Sequence, residues 1–174
     1  MPVVSDSGPL IWLAKAGRIR LLQELFEEVL VPLEVYNEVV PGGLKAGFSD
    51  ALAVEESVKE GWMKIVSLAA NDKETSSRIS VSAKEIHLGE AQAIALARGM
   101  EAMLLMDESS GRALAEALGV RVRGTLYVVL RSLRRGHLSK REAKDTISGM
   151  VSKGFRLEPR LLTKVLEEIE RFQG

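Results

Sequence analysis

Four acidic residues stand where a strand or a helix is predicted to begin or end: Asp6, Glu38, Glu90 and Asp107. Carboxylates gathered in one pocket repel each other, and this is costly unless a cation lies among them or some are protonated. The chain has no cysteine, so such a pocket would offer oxygen ligands, which favour hard cations such as Mg²⁺ or Mn²⁺. That chemistry suits hydrolysis of a phosphodiester, because the ion activates a water and stabilises the charge developing on phosphorus.

Two of these acids follow short apolar strands. Residues 103–106 form a continuous apolar run, typical of a strand buried on both faces of a parallel sheet, and the run ends at Asp107. Residues 2–5 repeat this design and end at Asp6. Ligands of open α/β sheets collect beyond the carboxyl ends of the strands, so both acids are placed for chemistry. An acid that directly ends a buried strand is also costly to keep without a use.

The other two acids have weaker signals when taken singly. Glu38 lies one turn after Glu34 on a helix predicted to follow Pro32, and a solvated helix face explains Glu38 better when it is taken alone. Glu90 lies in the first turn of a helix, where the helix dipole favours an anionic side chain. The four acids together are more informative than any one of them.

The remaining pattern predicts which elements position these residues. Apolar runs at 29–31, 62–68 (an edge strand) and 120–123 predict three further strands, and amphipathic segments between them predict helices, one of them at 19–28. Pro41, Gly42 and Gly43 are expected to end the helix that carries Glu38, and residues 69–85 predict either a loop or a frayed helix. Alternating strands and helices predict an α/β fold with a parallel sheet, followed by appended helices from Ser139 onwards, where Ser139 and Glu142 predict a capping box.

Length and composition limit the remaining classes. The chain has 174 residues, 46% of them hydrophobic, which predicts a domain with a substantial core. The start MPVVSD is too short and polar for a signal peptide, and no apolar run approaches the roughly 18 residues of a membrane span. We therefore expect a cytoplasmic protein without membrane partners.

The net charge of zero conceals an asymmetry. Residues 1–111 contain 10 Lys and Arg against 17 Asp and Glu, whereas residues 112–144 contain 9 against 2. A basic segment of this kind can follow a phosphate backbone, although a solvated helix face explains it equally well. The candidate phosphate contacts are Arg112, Arg131, Arg134, Arg135, Lys140 and Arg141. The aromatic residues Trp12, Tyr36, Phe48 and Trp62 are too scattered to predict a base-stacking platform.

Four blocks of sequence, in order, resemble the PIN-domain family, specifically its short prokaryotic PIN-like proteins described as predicted nucleic-acid-binding proteins. The blocks are SDSGPLIWLAK at 5–15, VPLEVYNEV at 31–39, LGEAQAIALA at 88–97 and LLMDESSGRALAEALGVRVRGT at 104–125. The segment GFRLEPRLLTKVL at 154–166 is also similar to that branch. The resemblance covers roughly the first 135 residues, which predicts a PIN-like domain at 1–135 and a helical extension at 136–174 packed on it.

The resemblance implies a Rossmann-like, three-layer α/β/α sandwich with a mostly parallel sheet, whose acids bind Mg²⁺ or Mn²⁺ and cleave single-stranded RNA. Asp6, Glu38, Glu90 and Asp107 match the first to fourth acids of the family, and Asp6, Glu90 and Asp107 would hold the metal. Ser7 matches the hydroxyl residue beside the first acid, and Glu108 is a supporting residue. Many members of the family are toxins of toxin–antitoxin pairs and many form homodimers, which implies RNA, an antitoxin and a second copy as partners.

Three positions depart from the family pattern and keep alternatives open. Glu90 stands where many members have Asp, Met106 where many have Thr or Ser, and Glu108 where this branch often has Asp. One alternative is a catalytically silent PIN-like module that binds nucleic acid or assembles with partners. Another is a phosphoacceptor receiver domain, which would need an acidic pair near the first strand, whereas Asp6 stands alone.

Overall fold

The structure, a computed structural model, describes residues 2–173. Its strands are β1 Val3–Ser5, β2 Val29–Pro32, β3 Met63–Val66, β4 Met103–Leu105 and β5 Val122–Arg123. They form one sheet in the order β3-β2-β1-β4-β5, and every pair of neighbours is parallel. The predicted α/β fold with a parallel sheet is therefore confirmed, as is the edge position of the strand predicted at 62–68.

Helices connect the strands and follow the last one. The helices before β4 are α1 Ser7–Lys15, α2 Leu21–Leu25, α3 Leu33–Asn37, α4 Gly43–Lys45, α5 Ala51–Lys59, α6 Ala70–Ser82 and α7 Leu88–Gly99. Those after β4 are α8 Ser109–Ala117, α9 Thr125–Arg134, α10 Lys140–Ser152 and α11 Pro159–Arg171. No helix among the described residues is long and apolar enough to cross a bilayer.

The sheet lies in the middle of the core. Every residue of β1 and β4 is buried, which requires cover on both faces of the sheet because successive side chains point to opposite sides. Helix α7 packs against β1, β2 and β4 and also contacts α3 and α6, whereas α1 and α2 each contact α9. This arrangement is the three-layer sandwich that the resemblance implied.

The chain changes direction across the sheet between β1 and β4. From β1 it continues to β2 and β3 on one side, and then returns to β4 and β5 on the other. The carboxyl ends of β1 and β4 therefore lie side by side at a topological switch point, where open α/β sheets bind ligands. A hydrogen bond of 2.9 Å from the Asp6 N–H to the Leu105 carbonyl joins the two ends.

The structure decides one open alternative and corrects two local predictions. Residues 70–82 form a helix, α6, because Ser76 and Ile79 are buried against α7, and tertiary packing overrides the weak sequence pattern. The helix predicted at 19–28 is limited to α2, since Phe26 is extended. Pro41 does not end its helix, because a π-helical turn at Glu38–Gly42 joins α3 to α4. The wider π-helical turn accommodates a proline, which has no N–H to donate.

The C-terminal helices pack on the end of the sandwich. Helix α10 contacts α9, and α11 contacts α10. The predicted capping box at the start of α10 is confirmed: the Glu142 N–H donates to Ser139 Oγ at 3.2 Å, and the Ser139 N–H donates to Glu142 Oε2 at 2.9 Å. A loop between α10 and α11 contains Phe155 and Arg156.

Candidate active site

Asp6 lies between the end of β1 and the start of α1. Its side chain is only 4% exposed, and its Oδ1 has no hydrogen-bond partner among the described residues. Burial, together with the charges of Glu90, Glu38 and Asp107, raises the pKa of Asp6 from the usual 3.8 to about 7, against a hydrogen bond from the Ser7 backbone that lowers it. A buried carboxylate with an unpaired oxygen is an unusual feature, and it requires an explanation.

Helix α7 brings Glu90 to the same pocket. Glu90 is 7% exposed, and its Oε2 accepts a hydrogen bond of 2.8 Å from the backbone N–H of His87, the residue that precedes the helix. The side chain is therefore fixed by the helix start, as the first-turn position predicted, and its charge also raises the pKa of Asp6. The Glu90 carboxylate therefore has two roles, because it caps α7 and also contributes its charge to the acidic pocket.

Glu38 lies at the outer edge of the pocket. It begins the π-helical turn and is exposed, yet its Oε2 lies 3.1 Å from the point where a Cβ on Gly89 would stand. Partial burial and the charge of Glu90 raise the pKa of Glu38, while His87 lowers it. Since π-helical turns inside helices are frequent at functional sites, the position of Glu38 fits a role at the pocket entrance.

Asp107 completes the pocket from the end of β4, and both of its oxygens are held. The backbone N–H of Thr125 donates to Oδ1 at 2.7 Å, and the Thr125 hydroxyl donates to Oδ2 at 2.6 Å. Burial raises the pKa of Asp107, whereas the two bonds from Thr125 and the charge of Arg112 lower it. Asp107 is therefore oriented by the start of α9 before any ligand binds.

Two glycines allow the close approach of backbone to Asp107. A Cβ on Gly8 would lie 3.3 Å from Asp107 Oδ2, and one on Gly124 would lie 2.7 Å from Asp107 Oδ1 and 3.0 Å from Arg112 Nη1. The first contact brings the loop after Asp6 next to the loop after β4. The second leaves no room for any larger residue at position 124 unless Asp107 or Arg112 moves.

The supporting residues differ in their exposure. Ser7 is half-buried at the start of α1, beside Asp6, whereas Glu108 is exposed at the start of α8. The neighbouring carboxylates therefore have different surroundings: Asp107 lies in the pocket and Glu108 faces solvent. His87 is exposed, and its backbone rather than its ring contacts Glu90.

The donor set fits a hard divalent cation in its chemistry. Every acidic side chain of the pocket offers oxygen, and the orphan Oδ1 of Asp6 is a buried acceptor that a cation would satisfy. Among residues 2–173, however, no three acidic or histidine side chains already stand as ligands around one point. An ion would therefore have to draw the carboxylates together from their present positions.

A groove of about 740 Å³ leads away from Asp107 and is strongly basic. Four of the five arginines predicted to contact phosphates line it, as do two further arginines. The six are Arg112, Arg123, Arg131, Arg134, Arg135 and Arg156. Of the four acids of the pocket, Asp107 lines the groove, whereas Asp6, Glu38 and Glu90 do not. Lys140 and Arg141 lie outside this lining as well.

Most of these arginines keep their charge available. Arg134 is paired with Glu168 of α11, the other acid that lines the groove. Arg112 donates to the Met106 carbonyl at 3.0 Å, and Arg123 donates to the Val122 carbonyl at 2.7 Å, so neither bond neutralises a charge. The groove therefore carries a positive potential next to the acidic pocket, as a phosphate-binding surface requires.

Sequence reasoning did not find Thr125, which contacts Asp107 most directly. A signal was present, because Thr125 begins the helix after β5 and so lies at the same edge of the sheet as Asp6 and Asp107. The family pattern placed the helping hydroxyl immediately before the fourth acid, where this chain has Met106. In the structure a hydroxyl reaches the acid from position 125 instead.

Comparisons with known proteins agree with this architecture. A family model described as PIN domain matches residues 2–171, which include the helices predicted as an extension. Among solved structures, VapBC2 from Rickettsia felis bound to a DNA fragment from its promoter has a TM-score of 0.53 at 10% identity, covering 71% of this chain and 98% of that one. VapBC-1 from nontypeable Haemophilus influenzae has a TM-score of 0.52 at 13% identity, covering 72% and 98%. A search of curated proteins found no match.

Proposed function

The chain belongs to the PIN-domain family, and we propose that it is a metal-dependent endoribonuclease that cleaves single-stranded RNA with Mg²⁺ or Mn²⁺. The observation that carries this proposal is Asp6, a buried carboxylate whose Oδ1 has no hydrogen-bond partner among residues 2–173 and whose pKa is raised by burial and by the charges of three neighbouring acids. A divalent cation relieves that repulsion and satisfies the orphan oxygen.

The residues of the pocket have separate roles in this proposal. Asp6, Glu90 and Asp107 hold the ion, and Glu38 at the entrance orients the attacking water. When bound, the ion supplies a Lewis acid for the phosphate oxygens and lowers the pKa of a water. Ser7 and Glu108 support the pocket from the starts of α1 and α8.

The basic groove holds the RNA backbone. Arg112, Arg131, Arg134 and Arg135 line one continuous surface that meets the pocket at Asp107, so phosphates bound there would lead the strand to the acids. This contribution depends on counterion release and not on base identity, so binding should weaken as salt increases.

The similar structures support one kind of protein partner. Both similar structures are VapBC proteins, which supports a role as the toxin of a toxin–antitoxin pair, with an antitoxin as the partner protein. A homodimer, as in many members of the family, is the assembly we expect. A small neighbouring gene that encodes a DNA-binding start and a disordered tail would support the toxin role.

The decisive experiment measures cleavage of single-stranded RNA with Mn²⁺ and with EDTA. Asp6→Asn and Asp107→Asn should each lower the rate by more than about 100-fold, since changes to outer-shell partners of a metal already cost 10–100-fold. Asp145→Asn is the matched control, because Asp145 is exposed on α10 and pairs there with Arg141. Activity that survives both pocket replacements would contradict the proposal.

A second candidate function is a catalytically silent PIN-like module that binds nucleic acid or assembles with partners. The observation in its favour is that no three acids of the described residues already surround one point, while both Asp107 oxygens are occupied by Thr125. This candidate predicts RNA binding that is equal in wild type and in Asp6→Asn, without metal-dependent cleavage by either protein.

A further inference from the structure

We propose that Tyr127 forms a stacking subsite for one unpaired base, next to the Asp107 end of the acidic pocket. The stacking subsite consists of Tyr127, Arg123 and Arg131. This inference rests on the proposed function, because it identifies the part of the RNA that the groove holds beside the acids. It goes beyond that function because it identifies an aromatic ring that distinguishes an unpaired nucleotide from a paired one.

The position of Tyr127 follows from the clamp on Asp107. Thr125 begins α9 and binds both oxygens of Asp107, and Tyr127 lies two residues later, roughly 3 Å further along the helix axis. Tyr127 and Asp107 line the same groove, and the tyrosine is half-buried. The ring is therefore fixed relative to the pocket by the same helix that orients the acid.

Two arginines frame the ring. The guanidinium carbons of Arg123 and Arg131 each lie 5.6 Å from the ring centroid, and Arg131 Nη1 donates to the tyrosine hydroxyl at 2.5 Å. Neither guanidinium is within ion-pair distance of a carboxylate in residues 2–173, and Arg131 Nε is buried without a hydrogen-bond partner there. The ring is thus held in place among positive charges that no acid neutralises.

This combination matches a single-stranded nucleotide better than other ligands. Aromatic rings and guanidinium planes both stack on bases, while the remaining charge attracts the flanking phosphates. A base within a duplex has both faces covered by its neighbours, so only an unpaired base can use the ring. An acidic peptide would use the arginines but would gain nothing from Tyr127. The scattered aromatics of the sequence form no extended platform, and this site needs one ring only.

The test measures binding without cleavage, using the wild-type protein in EDTA and a short labelled oligouridylate. A series of the same oligomer carries one abasic nucleotide, moved along it position by position. We expect one position at which loss of the base weakens binding by about 5- to 100-fold, with smaller effects elsewhere. Equal affinity at every position would overturn the stacking subsite, as would an absence of RNA binding.

Variants locate the effect on Tyr127. Tyr127→Phe keeps the ring and should bind like the wild type, whereas Tyr127→Leu should bind the intact and the abasic oligomers equally. Arg131→Ala should weaken both, and Arg78→Ala is the charge control, because Arg78 is exposed on α6 and does not line the groove. A Tyr127→Leu protein that retains the position-specific loss would overturn the proposal. If that variant does not fold, the abasic series on the wild type and Tyr127→Phe still decides.

Cleavage measured separately distinguishes the two proposals. Cleavage with Mn²⁺ but without a base-dependent position would overturn the subsite and leave the nuclease in place. A base-dependent position without cleavage would overturn the nuclease and support the subsite on a silent RNA-binding protein. Binding of oligoglutamate in the groove by a protein that does not bind RNA would overturn the subsite in favour of an acidic protein partner.

Discussion

Asp6 and Asp107 end neighbouring strands of the sheet, yet their surroundings are opposite. Asp6 is buried, its Oδ1 has no hydrogen-bond partner within residues 2–173, and its pKa is raised to about 7. Asp107 has both oxygens bound by Thr125 and lies near the positive charge of Arg112. The two sequence contexts are alike, each an apolar strand, one acid and a helix start, so the difference arises from what the rest of the fold places around each acid.

The difference separates two tasks within one pocket. Hydrogen bonds that favour the charged form keep Asp107 oriented, whereas Asp6 gains nothing comparable from the protein beyond one backbone bond. Asp6 is therefore the carboxylate whose charge depends most on a cation. Asp107 is the carboxylate whose orientation is fixed before a cation binds. Each of the following changes tests one of these two carboxylates.

The largest expected effect concerns stability and pH at Asp6. Because the folded protein raises this pKa above its unfolded value, the folded state holds the proton more tightly, and this stabilisation is present at low pH and lost as pH rises from about 4 through about 7. In EDTA, Asp6→Asn should therefore become more stable than the wild type as pH increases, by at most about 4 kcal/mol at pH 8. Urea unfolding across this range measures the difference.

Two controls accompany this measurement. Asp145→Asn should follow the wild-type curve, since Asp145 is exposed. Adding Mn²⁺ at pH 8 should stabilise the wild type and not Asp6→Asn, because only a protein that binds the ion in its folded state gains from it. Parallel pH curves for wild type and Asp6→Asn would show that folding does not raise the pKa of Asp6.

The next effect concerns the clamp on Asp107. Thr125→Val removes the hydroxyl bond to Oδ2 and keeps the backbone bond to Oδ1, so we expect cleavage to fall by about 10- to 100-fold. The pKa of Asp107 should rise, because the hydroxyl bond lowers it in the wild type, and the acidic limb of the pH–rate profile should move to higher pH.

The matched control is Thr146→Val on α10. Thr146 is also buried, but its hydroxyl donates to the Glu142 carbonyl within the same helix at 2.7 Å. This variant should retain full cleavage. If both valine variants lose the same activity, the effect of Thr125→Val is one of packing, and Asp107 does not depend on its hydroxyl bond.

The smallest expected effect tests the space around Asp107. A Cβ at position 124 would stand 2.7 Å from Asp107 Oδ1, so Gly124→Ala must displace the carboxylate or Arg112. We expect cleavage to fall by about tenfold, since small misplacements of reacting groups are costly.

Gly149→Ala is the control for that change, since nothing lies within 4 Å of the added group and Gly149 is inside α10. It should keep activity and stabilise the protein by about 0.5–1 kcal/mol, the usual gain on replacing a helical glycine. Wild-type cleavage by Gly124→Ala would show that the position of Asp107 tolerates movement.

The sequence was most informative where a pattern is local. Asp6 and Asp107 could be placed at strand ends because buried parallel strands are short apolar runs, and the capping box of Ser139 and Glu142 could be read directly. The helix at 70–82 could not be identified in this way, because its polar sequence has little periodicity and its packing against α7 stabilises it.

Contacts between residues that are distant in sequence also limited what could be predicted for the pocket. Thr125 lies 18 residues after the acid it binds, and no local signal joins the two positions. Arg123 and Arg156 line the groove from a strand and a loop, so no helical pattern groups them with Arg131. The residue types at the pocket could be proposed from sequence, whereas their partners depend on the order of strands in the sheet.

The central position of β1 has a consequence for newly made chains. Asp6 is synthesised well before β4, the strand that pairs with its own, and before the threonine that holds Asp107. A chain still attached to the ribosome therefore carries one side of the pocket without the other until residue 125 has emerged. The acidic pocket is therefore incomplete until the helix that starts at Thr125 has been made, and under the proposed function a shorter nascent chain could not cleave RNA.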